Sequence, residues 1–62
     1  MSNNYLYKIG DLVVIVGKRK QCGEILSWRV NQNDVVEYEV QHNGRIDWFP
    51  EYAISHCKEL KH

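Results

Sequence analysis

The sequence predicts an all-β fold, a five-stranded SH3-like barrel with a short 3₁₀ turn before the last strand. Three observations carry that expectation. The apolar residues fall in short β-branched runs, as in Leu12-Val13-Val14-Ile15-Val16. Turn-forming clusters, Asn31-Gln32-Asn33-Asp34 and Asn43-Gly44, separate those runs at close intervals. No segment sustains a helical period, and strands this short and close together imply a barrel or small sandwich.

Taken in order, residues 1–6 form a flexible N-terminal arm, 7–58 the barrel and 59–62 a tail. Asp11 to Val16 is the first strand, and Gly17 to Gln21 a polar, basic loop. Gly23 to Val30 is the second strand. Val35 to Gln41 and Arg45 to Phe49 are the third and fourth. Pro50 ends the fourth, because proline brings no donor to a ladder. Glu51 to Ala53 makes the 3₁₀ turn, and Ile54 to Cys57 the last strand.

Hairpin registers follow from the pattern. A four-residue turn over Asn31 to Asp34 sets Val30 opposite Val35, Ile25 opposite Val40 and Ser27 opposite Tyr38. For the next hairpin, a two-residue loop sets Val40 against Asp47 and mixes core with surface. A three-residue loop, His42-Asn43-Gly44, instead pairs Val40 with Ile46 and Tyr38 with Trp48, so the pattern favours it. The expected interior is Val13, Ile15, Ile25, Tyr38, Val40, Ile46, Trp48 and Ile54. Left outside are Leu26, Trp28, Val30 and Val35 with Glu37, Glu39, Asp47 and Phe49. A connected apolar patch on so small a surface marks an interface. The expected partner or oligomer face is therefore Leu26, Trp28, Glu37, Glu39, Asp47 and Phe49. Glu39 and Asp47 come out opposite one another, a repulsive pair that Arg29, Arg45 or Lys20 has to compensate. Trp28, Trp48, Phe49 and Tyr52 also suggest an aromatic cage for methylated lysine. Trp48 as core and Tyr52 as a plug behind Pro50 is the simpler assignment.

Sixty-two residues make one domain, burying only about 60% of the surface the unfolded chain exposes. A core this thin usually draws support from a disulfide, a metal or a partner chain. Eight Lys plus Arg balance eight Asp plus Glu, whereas duplex-coating proteins carry a basic excess. Lys18, Arg19 and Lys20 remain a candidate phosphate-contact loop. Cys22 and Cys57 form no CxxC motif, which favours reduced thiols in a cytoplasmic protein. Their combination with His42 and His56 has no spacing typical of zinc, and no metal site is assigned. Met1 to Lys8 has no apolar core region, so no secretory leader is expected, and no run approaches the ~20 apolar residues of a membrane span.

Gly10-Asp11-x-Val13, Gly23-x-Ile25, Trp28, Tyr38-x-Val40 and the closing Pro50-x-x-Ala53-Ile54 resemble the plasmid-borne, trimethoprim-insensitive type II dihydrofolate reductases. The likeness runs over roughly residues 7 to 55. It implies a tiny SH3-like barrel, a homotetramer, and a pore on the outer barrel faces where NADPH and a pterin meet. The family's pore-lining Val-Gln-Ile-Tyr corresponds to Ile46-Asp47-Trp48-Phe49, so its glutamine amide becomes a carboxylate and its tyrosine hydroxyl is lost. Ile15 stands where the family has a pore lysine. An acidic pore repels anionic ligands.

The sequence thus points first to a small non-enzymatic interaction module with no catalytic residues and no cofactor. Its expected partners are itself, as dimer or tetramer, and an unidentified protein. An accessory protein of a phage or mobile element fits that description. The alternatives are a divergent reductase-like subunit using NADPH and a nucleic-acid-binding barrel acting through the basic loop.

Overall fold

A computed structural model describes residues 5–57, with the backbone alone for 18–21. Five antiparallel strands form one curled sheet: β1 (Leu12–Ile15), β2 (Lys18–Val30), β3 (Val36–His42), β4 (Arg45–Pro50) and β5 (Ile54–His56). Their order is β4-β3-β2-β1-β5. A 3₁₀ turn over Glu51–Ala53 links β4 to β5. This is the predicted SH3-like arrangement, with the barrel left open between β4 and β5. Among the described residues no helix is long and apolar enough to cross a membrane.

The predicted basic loop is mostly strand. Ile15 pairs with Lys18, so Val16 and Gly17 alone make the turn and β2 begins at once. The side chains of Lys18, Arg19 and Lys20, on which the phosphate-contact expectation rests, lie outside the described residues. So do Met1 to Asn4 of the expected arm and the tail at 59–62.

Two registers differ from expectation. The β2–β3 connection spans Asn31 to Val35, and Val30 pairs with Val36. Asn31 closes it. Its Oδ1 accepts hydrogen bonds from the backbone N–H of Asn33 at 2.8 Å and of Val35 at 3.1 Å, a side chain imitating a backbone turn. A bulge at Leu26 then takes up one residue and restores Ile25 opposite Val40. Ser27 therefore faces Glu39, and Trp28 faces Tyr38.

The β3–β4 hairpin uses the two-residue loop. His42 pairs with Arg45, and Asn43 and Gly44 both adopt positive φ, 51° and 77°. That is the type I′ geometry whose twist matches the strands, and glycine takes the second position without strain. Val40 accordingly faces Asp47, Glu39 faces Trp48 and Tyr38 faces Phe49. The expected three-residue loop and the Glu39–Asp47 opposition are both corrected. Mixing core with surface costs little here because β4 is an edge strand. Its first half overhangs the core, and the Asp47 side chain stays 53% exposed.

The core is Tyr7, Val13, Ile25, Tyr38, Val40 and Ile54, with Ile15, Val36 and Phe49 packed against it. Ile46 and Trp48, expected inside, stand on the outer face. Tyr7 enters instead, edge-on to Tyr38 with centroids 5.3 Å apart. Its hydroxyl donates to the Ile54 carbonyl at 3.2 Å. The Tyr38 hydroxyl donates to Glu51 Oε2 at 2.8 Å and accepts from the Tyr7 N–H at 3.4 Å. Glu51 Oε2 also accepts from the Leu6 N–H at 3.2 Å, which ties the entering chain to the 3₁₀ turn. Tyr52 is 80% exposed and plugs nothing.

The expected free thiols are joined: Cys22 and Cys57 form a disulfide with Cα atoms 5.7 Å apart. β1 runs between β2, which carries Cys22, and β5, which Cys57 directly follows, and a flat sheet holds strands two apart ~10 Å from each other. The bond therefore depends on the sheet curling about β1, where the register shifts between Val13 and Ile15. Spacing along the chain contains no sign of that curl.

Gly23 records the tightness of the fold at the same place. A Cβ there would lie 2.7 Å from Val40 Cγ1, 2.9 Å from the Gln41 carbonyl oxygen and 3.0 Å from His42 Cβ. All three neighbours belong to β3, which cannot yield without disturbing the β2–β3 ladder. Gly23→Ala is expected to destabilise the domain by about 1–3 kcal/mol, the usual cost of overpacking. Urea titration checks this; an unchanged midpoint would show that β2 and β3 can part at no cost.

Candidate interaction face

Neighbours directly opposite in an antiparallel ladder share a face, so the register sorts every strand residue. The side opposite the core carries Ser27 and Arg29 from β2, Glu37, Glu39 and Gln41 from β3, and Ile46, Trp48 and Pro50 from β4. Arg29 stands opposite Glu37, and its Nε donates to Glu37 Oε1 at 2.7 Å. Asn31 Nδ2 donates to Glu37 Oε2 at 3.1 Å. The bond from Arg29, and then that from Asn31, hold the Glu37 carboxyl below its ordinary pKa. With both oxygens engaged, Glu37 fixes the guanidinium, which lies 4.0 Å from the ring centroid of Trp48. The result is a half-buried indole under a planar cation, an arrangement favoured by the ring quadrupole. Ile46 continues the same row and is 53% exposed.

The residues expected to share one working face are divided. Glu37 and Glu39 do lie outside. Trp28 and Phe49 lie on the Tyr38 side. Phe49 packs on the core and meets the His42 ring edge-on at 5.4 Å. Trp28 sits at the margin of that side, 41% exposed, with the Tyr5 ring against it at 4.3 Å between centroids. Asp47 also turns to that side, its Oδ2 3.6 Å from His42 Nε2. Leu26 is the half-buried residue of the bulge. The two tryptophans have in effect exchanged places, because each hairpin register differs by one residue from the expected one.

Arg29, Ile46 and Trp48 are thus the face residues that sequence reasoning missed. For Ile46 and Trp48 the signal is Asn43-Gly44, the strongest short-range mark of a two-residue hairpin, whereas Arg29 is turned outward by the β2–β3 register, which no residue of that stretch announces. The expected aromatic cage does not assemble, with Trp28 and Trp48 on opposite faces and Tyr52 exposed to solvent. Among the described residues no group of three or more His, Cys, Asp or Glu is placed to hold a metal ion. The shape of the face is a shallow sheet surface with fixed charges around one indole. Such a surface can offer stacking, apolar contact and paired hydrogen bonds to a flat partner. No family model, no curated protein and no solved structure matches the chain.

Proposed function

We propose that this chain is a non-enzymatic protein-interaction module that works as an oligomer, with the outer face of β2, β3 and β4 as its contact surface. One observation carries the reading. Trp48 is kept out of the core and held flat under Arg29, which Glu37 holds in turn. Tryptophan and arginine are the residue types in which binding energy concentrates. Here both are already ordered, so less side-chain freedom remains to be lost on association. Glu37 and Glu39 flank them, and the chain has zero formal net charge. That balance favours a protein partner over a phosphate backbone. A thin core adds a motive, because a bound copy stabilises the folded state by mass action.

Trp48→Ala is expected to weaken self-association roughly thirtyfold, as hot-spot truncations do, while changing monomer stability by less than about 1 kcal/mol, as is usual for surface sites. Sedimentation velocity across a concentration series into the high micromolar range reads the first effect, and urea titration the second. A wild type that keeps monomer mass throughout overturns the reading. Steady NADPH oxidation in the presence of dihydrofolate overturns its non-enzymatic part.

A further inference from the structure

Resting on that reading, the open edge of β4 defines how two copies meet. Among the described residues β4 pairs only with β3. The two-residue hairpin decides which backbone groups that pairing uses. The closing pair, His42 and Arg45, exchanges both its hydrogen bonds, and bonded and non-bonded pairs alternate from there. Arg45, Asp47 and Phe49 therefore bond inward to β3. Ile46, Trp48 and Pro50 turn their backbone groups to the open side. Pro50 fits the alternation, since at that position β3 asks it for no N–H.

A second copy adding antiparallel about a two-fold axis has to match these outward positions with each other. Registers that set Pro50 against Trp48 or against itself lack a donor where one is needed, which leaves the three that pair Ile46 and Trp48 among themselves. Setting Ile46 opposite Trp48 brings Asp47 against Asp47, like charges at the closest cross-strand spacing. Setting Trp48 opposite Trp48 places Pro50 across from Ile46, where a donor is needed and absent. Setting Ile46 opposite Ile46 puts Arg45 of each copy across from Asp47 of the other, twice. It also joins the two exposed Ile46 side chains on the outer face and sets Trp48 across from Gly44, which has no side chain to obstruct the ring. We infer that a second copy of this chain docks on β4 in this last register, merging two sheets into one continuous outer face.

Charge exchange between copies tests the register. Arg45→Glu creates two Glu–Asp contacts in the dimer, and Asp47→Arg two Arg–Arg contacts. Each variant alone is expected to associate at least roughly tenfold more weakly than wild type. Mixed in equal amounts, they form a heterodimer in which both cross-strand pairs are again opposite in sign, and association returns. Both positions are exposed, so melting by circular dichroism stays near that of wild type. Sedimentation velocity of the three proteins and the mixture gives the result. Wild-type protein that never associates overturns the self-association reading and this inference together. Wild type that associates while either variant does so equally well, or while the mixture stays monomeric, overturns the β4 register alone.

Discussion

Opening the Cys22–Cys57 bond will lower the stability of this domain by roughly 3–4 kcal/mol. The bond closes a loop over a sequence separation of 35. The chain-entropy estimate for such a loop lies between the ~3 kcal/mol of a short loop and the ~4.7 kcal/mol of a long one. A natural domain of this length has only about 3–9 kcal/mol in total, at ~0.05–0.15 kcal/mol per residue. Losing the bond therefore removes a large share of what holds the fold. Cys22→Ser with Cys57→Ser and chemical reduction of the wild type should agree, both moving the urea midpoint sharply down. Equal midpoints with and without reductant would show that the bond constrains nothing the folded strands do not already constrain. The bond also supplies one of the three supports expected for so thin a core.

Replacing Tyr38 by alanine will cost about 3–5 kcal/mol, the range for emptying an aromatic site in a core. Tyr38 is the largest fully buried side chain, and it touches both Tyr7 and the 3₁₀ turn. Tyr38→Phe keeps the ring and removes only the hydroxyl, which donates to Glu51 at 2.8 Å. Its cost should be smaller, about 1.5–3 kcal/mol for a bond to a charged group. The ranking of the two variants in denaturant titrations checks the assignment; a phenylalanine as damaging as alanine would mean that packing contributes little there. Burial, and then the bond to Glu51, push the Tyr38 hydroxyl from 10.0 up to about 12. The unfolded chain thus gives up this proton first as pH rises. The associated stability is complete below pH 10 and disappears as pH climbs towards about 12. Tyr38→Phe should lack that part of the alkaline loss.

Much of the candidate face was within reach of the sequence, and its failure there is instructive. Asn43-Gly44 favoured the two-residue loop, while the demand for apolar residues opposite Val40 argued against it. The demand assumed that every strand is covered by core along its whole length. An edge strand is not: Asp47 can stand opposite buried Val40 and still reach water. At the other hairpin, nothing in Ile25-Leu26-Ser27 marks a bulge. Without it the longer Asn31–Val35 connection and the Ile25–Val40 pairing are incompatible, so the two errors were coupled. Tyr7 had no periodic neighbours to mark it as core, since it enters as a single residue from outside the strands.

What the sequence by itself determined is the number and order of the strands, the 3₁₀ turn before β5 and most of the interior. These follow from local chemistry: β-branched runs, turn residues and one proline. Which of two tryptophans faces outwards, and that Cys22 meets Cys57, only the tertiary structure decided. A one-residue shift reverses the face of every side chain beyond it, and the curl that joins the cysteines belongs to the whole sheet rather than to any segment.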